Sequence, residues 1–570
     1  MTNDALKPTH PSETQSGLND IAVKSIQYGL QPMLLEKDVP IRVRDGHTLY
    51  ANVFRPKKDG RFPVVICADI YGKDSIHLVF AERIGYTLGG YACSLFCAWE
   101  APDPGYWVPN EYVLVKVGLR GTCGSLGRIE PLSWQEAEDY YDAIEWAGTQ
   151  PWSSGKVGMN GVSYLAMCQW RVAQLNPPHL AAMIPWEGIS DMYREWSFHG
   201  GIPETRFSRG WIKGIVPRAT PGAPIEDLTR MEAEHPLWDA YWEGKHGRLA
   251  DIRVPLYVGA SWSTQGLHNR GTLEGFRQAS SQDKWMEIHG RKEWETYYSR
   301  EATERQKAFF DYFLKGMEND FRDTPRVRIE VRDRFYQGAV RYENEWPLAR
   351  TRYTPLYLEG SKGSMSRRAA KKASSVSYDS TATLSAESRE GRAMFVHRFD
   401  RDTELTGYMK LKLWVSSDAG DDMDLFVGVH KLDRRGAEVH LPDFNHTENG
   451  RVASGWLRVS HRELDEKRST PFQPWLKHER LLKLKPGEIV PVEIEIWPSS
   501  TLFRAGESVQ VTIQGSEVPR PALMALSAEH TANRYEHTEL VNRGRHVIHC
   551  GGEHDSHLLV PVVQGQGLNL

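Results

Sequence analysis

The chain lacks the features that would tie it to a membrane, to nucleic acid or to an oxidising compartment. No run of about 18 apolar residues occurs in it, so the sequence predicts no transmembrane helix. Its 70 Lys and Arg nearly balance 74 Asp and Glu, and the formal net charge of -4 argues against a nucleic-acid partner. Only six cysteines are present, without paired metal-ligand spacing. We therefore expect free, mostly buried thiols in a soluble cytoplasmic protein with no membrane partner.

The length predicts more than one domain, because a single hydrophobic core usually stops growing near about 250–300 residues. Short apolar runs that end in loops, such as FPVVICADIYG and KVGMNGVSY, alternate with segments of helical spacing. This alternation predicts an α/β fold with a mostly parallel sheet, whose functional residues lie at the carboxyl ends of the strands. Towards the end of the chain, period-two alternation such as MKLKLWVSS and IVPVEIEIW predicts an all-β domain.

The predicted organisation has four parts. Residues 1–33 are expected to form a disordered tail. Residues 34–190 and 250–350 are expected to form the α/β domain. The stretch 191–249, rich in Trp, Arg, Pro and Gly, is expected to be a helical cap inserted into it. Residues 351–570 are expected to form the β domain.

Ser163 stands where a strand pattern gives way to a helix pattern. The segment KVGMNGVSYLAM places Gly161, Val162 and Ser163 between an apolar strand and a helix through MCQWRVAQL. A serine on such a turn suits a nucleophile, because small neighbours allow a sharp turn and a helix N-terminus favours developing negative charge. The second glycine of G-x-S-x-G is absent, with Leu165 in its place. A helix N-cap serine is the alternative interpretation.

Several separated segments together resemble one family. They are GVSYLA at 161–166, LRGTCGSLG at 119–127, PWEGISDMYRE at 185–195, HPLWDAYW at 235–242, WSTQGLHNRGTLEGF at 262–276, HGRKEW at 289–294, TGYMKLKLWVSSDAGDDMDLFV and ASGWLRVSHRELDE. From about residue 34 to 563 the chain resembles the cocaine esterase and X-prolyl dipeptidyl peptidase superfamily, the CocE/NonD hydrolases. The resemblance implies an α/β-hydrolase fold, a C-terminal jelly roll and a serine hydrolase.

The resemblance also implies catalytic roles. Ser163 would be acylated, and the Tyr164 N–H and the Tyr71 hydroxyl would hold the oxyanion. The base is expected after the last strand, where His289 ends KWMEIH. We prefer it to His268, which lies inside an expected helix. In many family members the histidine comes a few residues later, in a register that falls near Trp294 here.

The triad acid is missing from its expected position, which Thr264 occupies. A neutral threonine cannot stabilise an imidazolium by charge, although its hydroxyl could accept the Nδ1 proton in a hydrogen bond. Asp191 is the alternative acid, but an aspartate in SDMYREW also suits helix capping. A naturally weakened dyad, an inactivated variant and an acid supplied from elsewhere all remain open.

Large aromatic residues predict an apolar substrate pocket. The candidates are Trp170, Trp186, Trp262 and Phe198, each of which would also suit an ordinary core. Glu187 is a candidate for meeting a substrate amine, as in the related α-amino ester hydrolases. No phosphate loop or cofactor motif is present, so the sequence predicts neither a cofactor nor a metal.

The predicted function is hydrolysis of a small-molecule ester or amide through an acyl-enzyme on Ser163. An acyltransferase, in which an alcohol or amine replaces water, is one alternative. A binding protein that kept the fold and lost the chemistry is another, suggested by Thr264. The sequence leaves open the substrate, a homo-oligomeric state and whether Thr264 is native.

Overall fold

The structure, a computed structural model, describes residues 23–28, 31–84, 91–382, 390–443, 449–518 and 537–564. Residues 1–22 of the expected disordered tail lie outside this part. Within the expected tail, Val23–Tyr28 is a strand that pairs antiparallel with Gln31–Arg42. Within the described ranges, no helix combines the length and the apolar character needed to cross a membrane.

The first half of the chain builds one twisted, mostly parallel sheet. Its strands are β1 Val23–Tyr28, β2 Gln31–Arg42, β3 Thr48–Pro56, β4 Phe62–Asp69, β5 Val113–Gly118, β6 Ser153–Val162, β7 Leu180–Trp186, β10 Leu256–Ser261, β11 Lys284–His289, β12 Val327–Arg334 and β13 Gln337–Glu343. Two short strands between β7 and β10, β8 Phe198–His199 and β9 Ile202–Pro203, pair with each other outside this sheet. The spatial order is β1-β2-β3-β5-β4-β6-β7-β10-β11-β12-β13, and neighbours from β5 to β12 run parallel. The carboxyl ends of the central strands therefore meet along one edge, as predicted.

The helices of this half vary greatly in length. They are α1 His77–Ile84, α2 Pro104–Trp107, α3 Trp134–Thr149, α4 Tyr164–Ala173, α5 Phe207–Gly210, α6 Val216–Ala219, α7 Leu228–Glu234, α8 Ala240–Lys245, α9 His268–Gln278, α10 Glu293–Tyr297 and α11 Arg300–Phe310, with π-helical turns at Tyr193–Ser197, Trp211–Ile215 and Asp311–Lys315 and 3-10 turns at Leu249–Asp251 and Asp320–Asp323. The stretch 191–249 thus contains short helical pieces together with β8 and β9.

The second half of the chain is built almost entirely of antiparallel strands. These are β14 Thr351–Glu359, β15 Ser364–Ser366, β16 Ser374–Asp379, β17 Arg392–Arg398, β18 Thr403–Ser417, β19 Asp424–Leu432, β20 Glu438–Val439, β21 Leu441–Pro442, β22 Asn449–Gly450, β23 Ala453–Arg458, β24 Val490–Phe503, β25 Ser508–Gln514, β26 Arg545–Cys550 and β27 His557–Val563, with a 3-10 turn at Val459–His461. The long strand β18 pairs with β24, β26 and β27.

Two large hydrophobic cores follow this division in the described part of the chain. The first draws nearly all of its residues from between Met33 and Leu348, and the second lies between Leu356 and Val560. The halves also touch: Arg332 of β12 is buried and donates from Nη2 to Ser499 Oγ of β24 at 2.7 Å. The change in periodicity near residue 351 therefore coincides with a change of core.

Candidate active site

Ser163 lies on a strained turn between β6 and α4. Its backbone has φ 57° and ψ -119°, a conformation that residues other than glycine rarely adopt. The Ser163 N–H donates to the carbonyls of Trp186 and Glu187, both at 3.0 Å, which holds the turn in place. Ser163 occupies the N-cap position of α4, but its side chain makes no capping hydrogen bond. The hydroxyl is therefore available for a role other than helix capping.

The imidazole beside this hydroxyl belongs to His268. Its Nε2 lies 3.1 Å from Ser163 Oγ. His268 is the first residue of α9, so the loop after β10 places it beside the Ser163 turn, at the end of the helix and not in its middle. Burial lowers the pKa of His268 to about 3, which leaves the ring neutral and able to accept a proton from the serine.

His289, the base expected from the sequence, does not meet Ser163 in the structure. Its Nε2 lies 3.1 Å from Glu187 Oε1, and its ring stacks on Trp186 with centroids 5.9 Å apart. The Arg291 N–H donates to its Nδ1 at 3.3 Å. The expectation followed the order of strands, but the parallel register places the ring beside Glu187, which follows β7 on the far side of β10.

Thr264, at the expected acid position, does not contact the His268 ring. Thr264 Oγ1 lies 3.0 Å from Ser261 Oγ, which donates to Glu187 Oε2 at 2.6 Å. His268 Nδ1 has no hydrogen-bond partner among the described residues. A carboxyl approaches the other ring nitrogen instead, with Glu293 Oε2 3.9 Å from Nε2. The site therefore contains a serine and a histidine without an acid on Nδ1.

Asp191, the alternative acid, is engaged elsewhere. Its Oδ2 pairs with Arg194 Nη1 at 2.8 Å, and its Oδ1 accepts from the Arg194 N–H at 3.0 Å. Burial raises the pKa of Asp191, but Arg194 and His246 outweigh burial and bring it down to about 2. Asp191 thus caps the π-helical turn that follows it, and no described contact connects it with His268.

The two expected oxyanion donors lie on either side of the serine. Tyr164 is the first residue of α4, so its N–H has no acceptor within the helix. Its side chain points away, with the hydroxyl donating to Glu136 Oε2 at 2.6 Å. Tyr71 borders the same cavity as Ser163, and its hydroxyl accepts from Trp211 Nε1 at 3.1 Å. Trp211 therefore fixes the direction of this hydroxyl, a role that nothing in its sequence context indicated.

A cavity of about 20 Å³, with room for about one water molecule, borders Ser163. Its lining consists of aromatic and aliphatic side chains with two carboxyl groups: Tyr71, Trp99, Glu100, Ser163, Phe207, Trp211, Ile215, Leu267, Glu293 and Trp294. Most of these residues come from the Trp99 loop, the segment after α5 and the start of α10. The cavity is small, and its lining combines aromatic and aliphatic side chains with hydroxyl and carboxyl groups.

The residues predicted to line the pocket do not border this cavity. They are Trp170, Trp186, Glu187, Phe198 and Trp262, all 3% exposed or less. Trp170 packs beneath α9, and Trp262 Nε1 donates to a backbone carbonyl at 2.8 Å. The four aromatic residues among them belong to the hydrophobic core. A large apolar side chain suits a core and a pocket equally well, so a position near a strand end does not tell core residues from pocket residues.

Glu100 and Glu293 are functional candidates that sequence reasoning missed. Glu100 is buried with φ 60°, and its Oε1 accepts from Trp294 Nε1 at 3.1 Å. Burial raises the pKa of Glu100 well above its usual range, although hydrogen bonds with Trp294 and Ser163 oppose the change. Burial, Glu187 and Glu100 raise the pKa of Glu293 in the same direction.

At the position where the resemblance placed a histidine, the chain has a tryptophan that donates a hydrogen bond to one of these carboxyls. Trp294 stands in that register and donates to Glu100. No local motif in CAWEAPD or HGRKEW indicated either glutamate, because the positive φ of Glu100 and the approach of the two segments exist only in three dimensions.

Comparisons with known proteins cover the whole chain. The family model for X-Pro dipeptidyl-peptidase (S15 family) matches residues 45–292, and that for the X-Pro dipeptidyl-peptidase C-terminal non-catalytic domain matches residues 319–559. A CocE/NonD family hydrolase from Staphylococcus aureus has a solved structure that is 53% identical, with a TM-score of 0.89 and 99% of each chain covered.

More distant relatives agree with this assignment. Cocaine esterase from Rhodococcus sp. (strain MB1 Bresler) is 25% identical over 629 residues, covering 92% of this chain and 98% of the esterase. The structure of an α-amino acid ester hydrolase shares the fold, with 16% identity and a TM-score of 0.71 over 98% of this chain and 100% of that one. The resemblance seen in the sequence is confirmed, and the chain belongs to the CocE/NonD family of hydrolases, with a C-terminal non-catalytic domain.

Proposed function

We propose that the protein hydrolyses a small-molecule ester or amide through an acyl-enzyme on Ser163, with His268 as the base. The observation that carries this proposal is the 3.1 Å contact between His268 Nε2 and the hydroxyl of a serine on a strained turn. The neutral ring accepts the serine proton as Oγ attacks the carbonyl carbon, and returns it to the leaving group. Water then repeats the sequence on the acyl-enzyme.

The oxyanion of each tetrahedral intermediate is held by the Tyr164 N–H and the Tyr71 hydroxyl. The first belongs to the free N-terminus of α4, where the helix dipole adds to the hydrogen bond. The second is oriented by Trp211. Groups aimed in advance at the developing charge are typically worth about 10²–10³ in rate each.

The imidazolium that forms on His268 has no acid on Nδ1. Glu293, 3.9 Å from Nε2, is the carboxyl placed to stabilise the positive charge. Thr264 and His289 instead support the hydrogen-bonded surroundings of Glu187 through Ser261 and a direct contact. In this proposal Glu293 takes the place of the acid that the sequence predicted at Thr264 or Asp191.

The cavity favours a small substrate that combines an apolar group with an amine. Glu187, the expected amine partner, does not border it, whereas Glu100 and Glu293 do. The Oε2 atoms of both have no hydrogen-bond partner among the described residues. An ammonium group beside them would lower the pKa of both carboxyls. The aromatic wall formed by Trp99, Trp211 and Trp294 would suit the rest of such a molecule.

The finer architecture belongs to the same proposal. Residues 34–190 and 250–350 form an α/β-hydrolase domain, 191–249 a helical cap over its sheet edge, and 351–570 a jelly roll. The separate core and the antiparallel strands of the last part support this division.

A binding protein that retains the fold is the second candidate. The unpartnered Nδ1 of His268 favours it, since a triad without its acid typically loses on the order of 10⁴ in turnover. An acyltransferase would use the same residues as the hydrolase, with an alcohol or amine in place of water.

Trapping the acyl-enzyme distinguishes these candidates. Wild-type protein treated with p-nitrophenyl acetate or a fluorophosphonate is expected to gain one acyl or phosphonyl group by intact mass. The Ser163→Ala variant should gain none, while Ser416→Ala, which changes a buried serine of the β domain, should react like the wild type. A folded wild-type protein that stays unmodified would favour the binding protein.

A further inference from the structure

Three side chains with metal-binding atoms converge beside the loop that leads into the catalytic cavity. His77 begins α1, and Cys93 and Cys97 form a C-x₃-C segment. One ligand atom from each lies within 4.8 Å of the other two. The His77 N–H also donates to the Cys97 carbonyl at 2.8 Å, so the two chain segments are tied together by backbone as well.

We propose that His77, Cys93 and Cys97 form a structural site for a thiophilic metal ion such as Zn²⁺. Zn–S bonds of about 2.3 Å and Zn–N bonds of about 2.0–2.1 Å place tetrahedral ligands within about 4 Å of one another. Small rotations of the three side chains therefore suffice to close the site around an ion. Two thiolates and an imidazole favour Zn²⁺ or Cu⁺ over Mg²⁺ and Ca²⁺, which prefer oxygen ligands.

The surroundings of His77 suit a metal-binding histidine, because one ring nitrogen already has a hydrogen-bond partner and the second one remains for a metal ion. Nε2 lies 2.6 Å from the Tyr91 hydroxyl, the kind of outer partner that orients a metal-bound histidine. Nδ1 lies 3.4 Å from the Tyr298 hydroxyl, which lies 3.6 Å from Cys97 Sγ. The Tyr298 hydroxyl therefore lies close to both His77 Nδ1 and Cys97 Sγ.

The cluster can be reached from the surface of the protein. Cys93 is half-buried and borders an open cleft, which offers an entry path.

A bound ion would act on the catalytic cavity through its wall. The His77 ring stacks on Trp99 with centroids 4.6 Å apart, and Trp99 and Glu100 follow Cys97 directly along the chain. Fixing Cys97 to His77 therefore fixes the loop that carries both cavity residues. The ion in this account holds structure and takes no part in the reaction, so the proposal stands or fails independently of the proposed function.

Cobalt binding to the reduced, chelator-treated protein tests the proposal. We expect one Co²⁺ per chain with thiolate-to-cobalt charge-transfer absorption, displaced by Zn²⁺, and a rise in thermal midpoint on adding Zn²⁺. Both signals should be lost in Cys93→Ser and in His77→Ala. Cys123→Ser changes another half-buried free thiol and should leave them unchanged.

Two results would overturn the metal site. One is a folded, reduced wild-type protein that shows no cobalt–thiolate absorption, whether or not Cys93 and Cys97 form a disulfide on later exposure to air. The other is absorption that persists in Cys93→Ser and His77→Ala.

Discussion

At the residue scale, three buried positions with left-handed backbone meet at the candidate site. Ser163, Glu100 and Glu187 have φ of 57°, 60° and 49°. Such conformations cost about 1–3 kcal/mol each and persist only where the surroundings enforce them. Here Ser163 presents its hydroxyl to His268, Glu100 borders the same cavity, and Glu187 contacts His289. Some of the strained backbone of the protein therefore lies where the chemistry is proposed.

The buried ring predicts an unusual pH profile. Because the base must be unprotonated and burial lowers the pKa of His268 to about 3, protonation of this ring cannot limit the rate near neutrality. We expect kcat/KM for a neutral ester to show no acid limb near about pH 6.5, the ordinary pKa of histidine. A limb at that pH in the wild type, moved or abolished by His268→Gln, would show that the ring is more exposed or better paired than the structure indicates.

The same residues show how much of the candidate site can be predicted from the local sequence. Ser163 was predicted because its turn is encoded by its immediate neighbours, Gly161 included, whose Cβ would lie 2.6 Å from Leu165 Cβ. His268 was considered but set aside and Glu100 was missed, because their positions near Ser163 arise from the approach of distant segments, which no local pattern records.

At the element scale, close packing positions helix α9, which carries the proposed base. A Cβ on Gly271 would lie 2.2 Å from Glu195 Oε2 and 2.5 Å from the Ser190 backbone N. One turn further along, a Cβ on Gly275 would meet the Trp170 ring at 2.5 Å. The helix can therefore approach α4 only because these positions lack side chains. This assigns Trp170 to holding α9 rather than to lining a pocket.

Gly271→Ala should displace α9 and weaken catalysis. The added methyl group has to push the helix away, and a shift of about 1 Å at a catalytic group can cost about 10²-fold. We expect kcat for ester hydrolysis to fall at least about tenfold with a smaller change in KM. Gly244→Ala, in helix α8 where a Cβ meets nothing within 4 Å, is the matched control. Unchanged kcat in a folded Gly271→Ala protein would remove α9 packing from the account.

The order of elements could be predicted, but the start of α9 could not. The alternation of strands and helices indicated the parallel sheet, and the change to period two indicated the β half. The segment QGLHNRGTLEGF has helical spacing throughout, yet the helix begins only at His268. That difference of a few residues separates a core histidine from one that faces the serine.

At the scale of the whole molecule, the β half supports the helix that carries the base. Arg270, two residues after His268, is buried and donates from Nη1 to Glu195 Oε1 at 2.7 Å. Its Nε lies 3.0 Å from Glu495 of strand β24. A charge on the second half thus fixes the first turns of α9, which gives a non-catalytic domain an influence on the site.

Glu495→Gln should reduce both stability and turnover. It leaves Arg270 with one carboxylate, and weakening a charge-assisted hydrogen bond of this kind costs about 1–3 kcal/mol. We expect a lower free energy of unfolding in urea together with a lower kcat. Glu493→Gln, on the same strand, weakens the pair with Lys410 at 3.0 Å and should change stability without changing kcat. Equal kcat for both variants would contradict a role of the β half at the site.

The central claim is that His268, and not His289, is the base for Ser163, and paired substitutions test it most directly. Steady-state hydrolysis of p-nitrophenyl acetate should be measured for His268→Ala and His289→Ala, with folding checked by circular dichroism. Loss of a general base typically costs about 10²–10⁴ in kcat, which we expect for His268→Ala. His289→Ala should retain turnover within about tenfold of the wild type, because its ring contacts Glu187 and not the serine. The reverse order of the two losses would contradict the account.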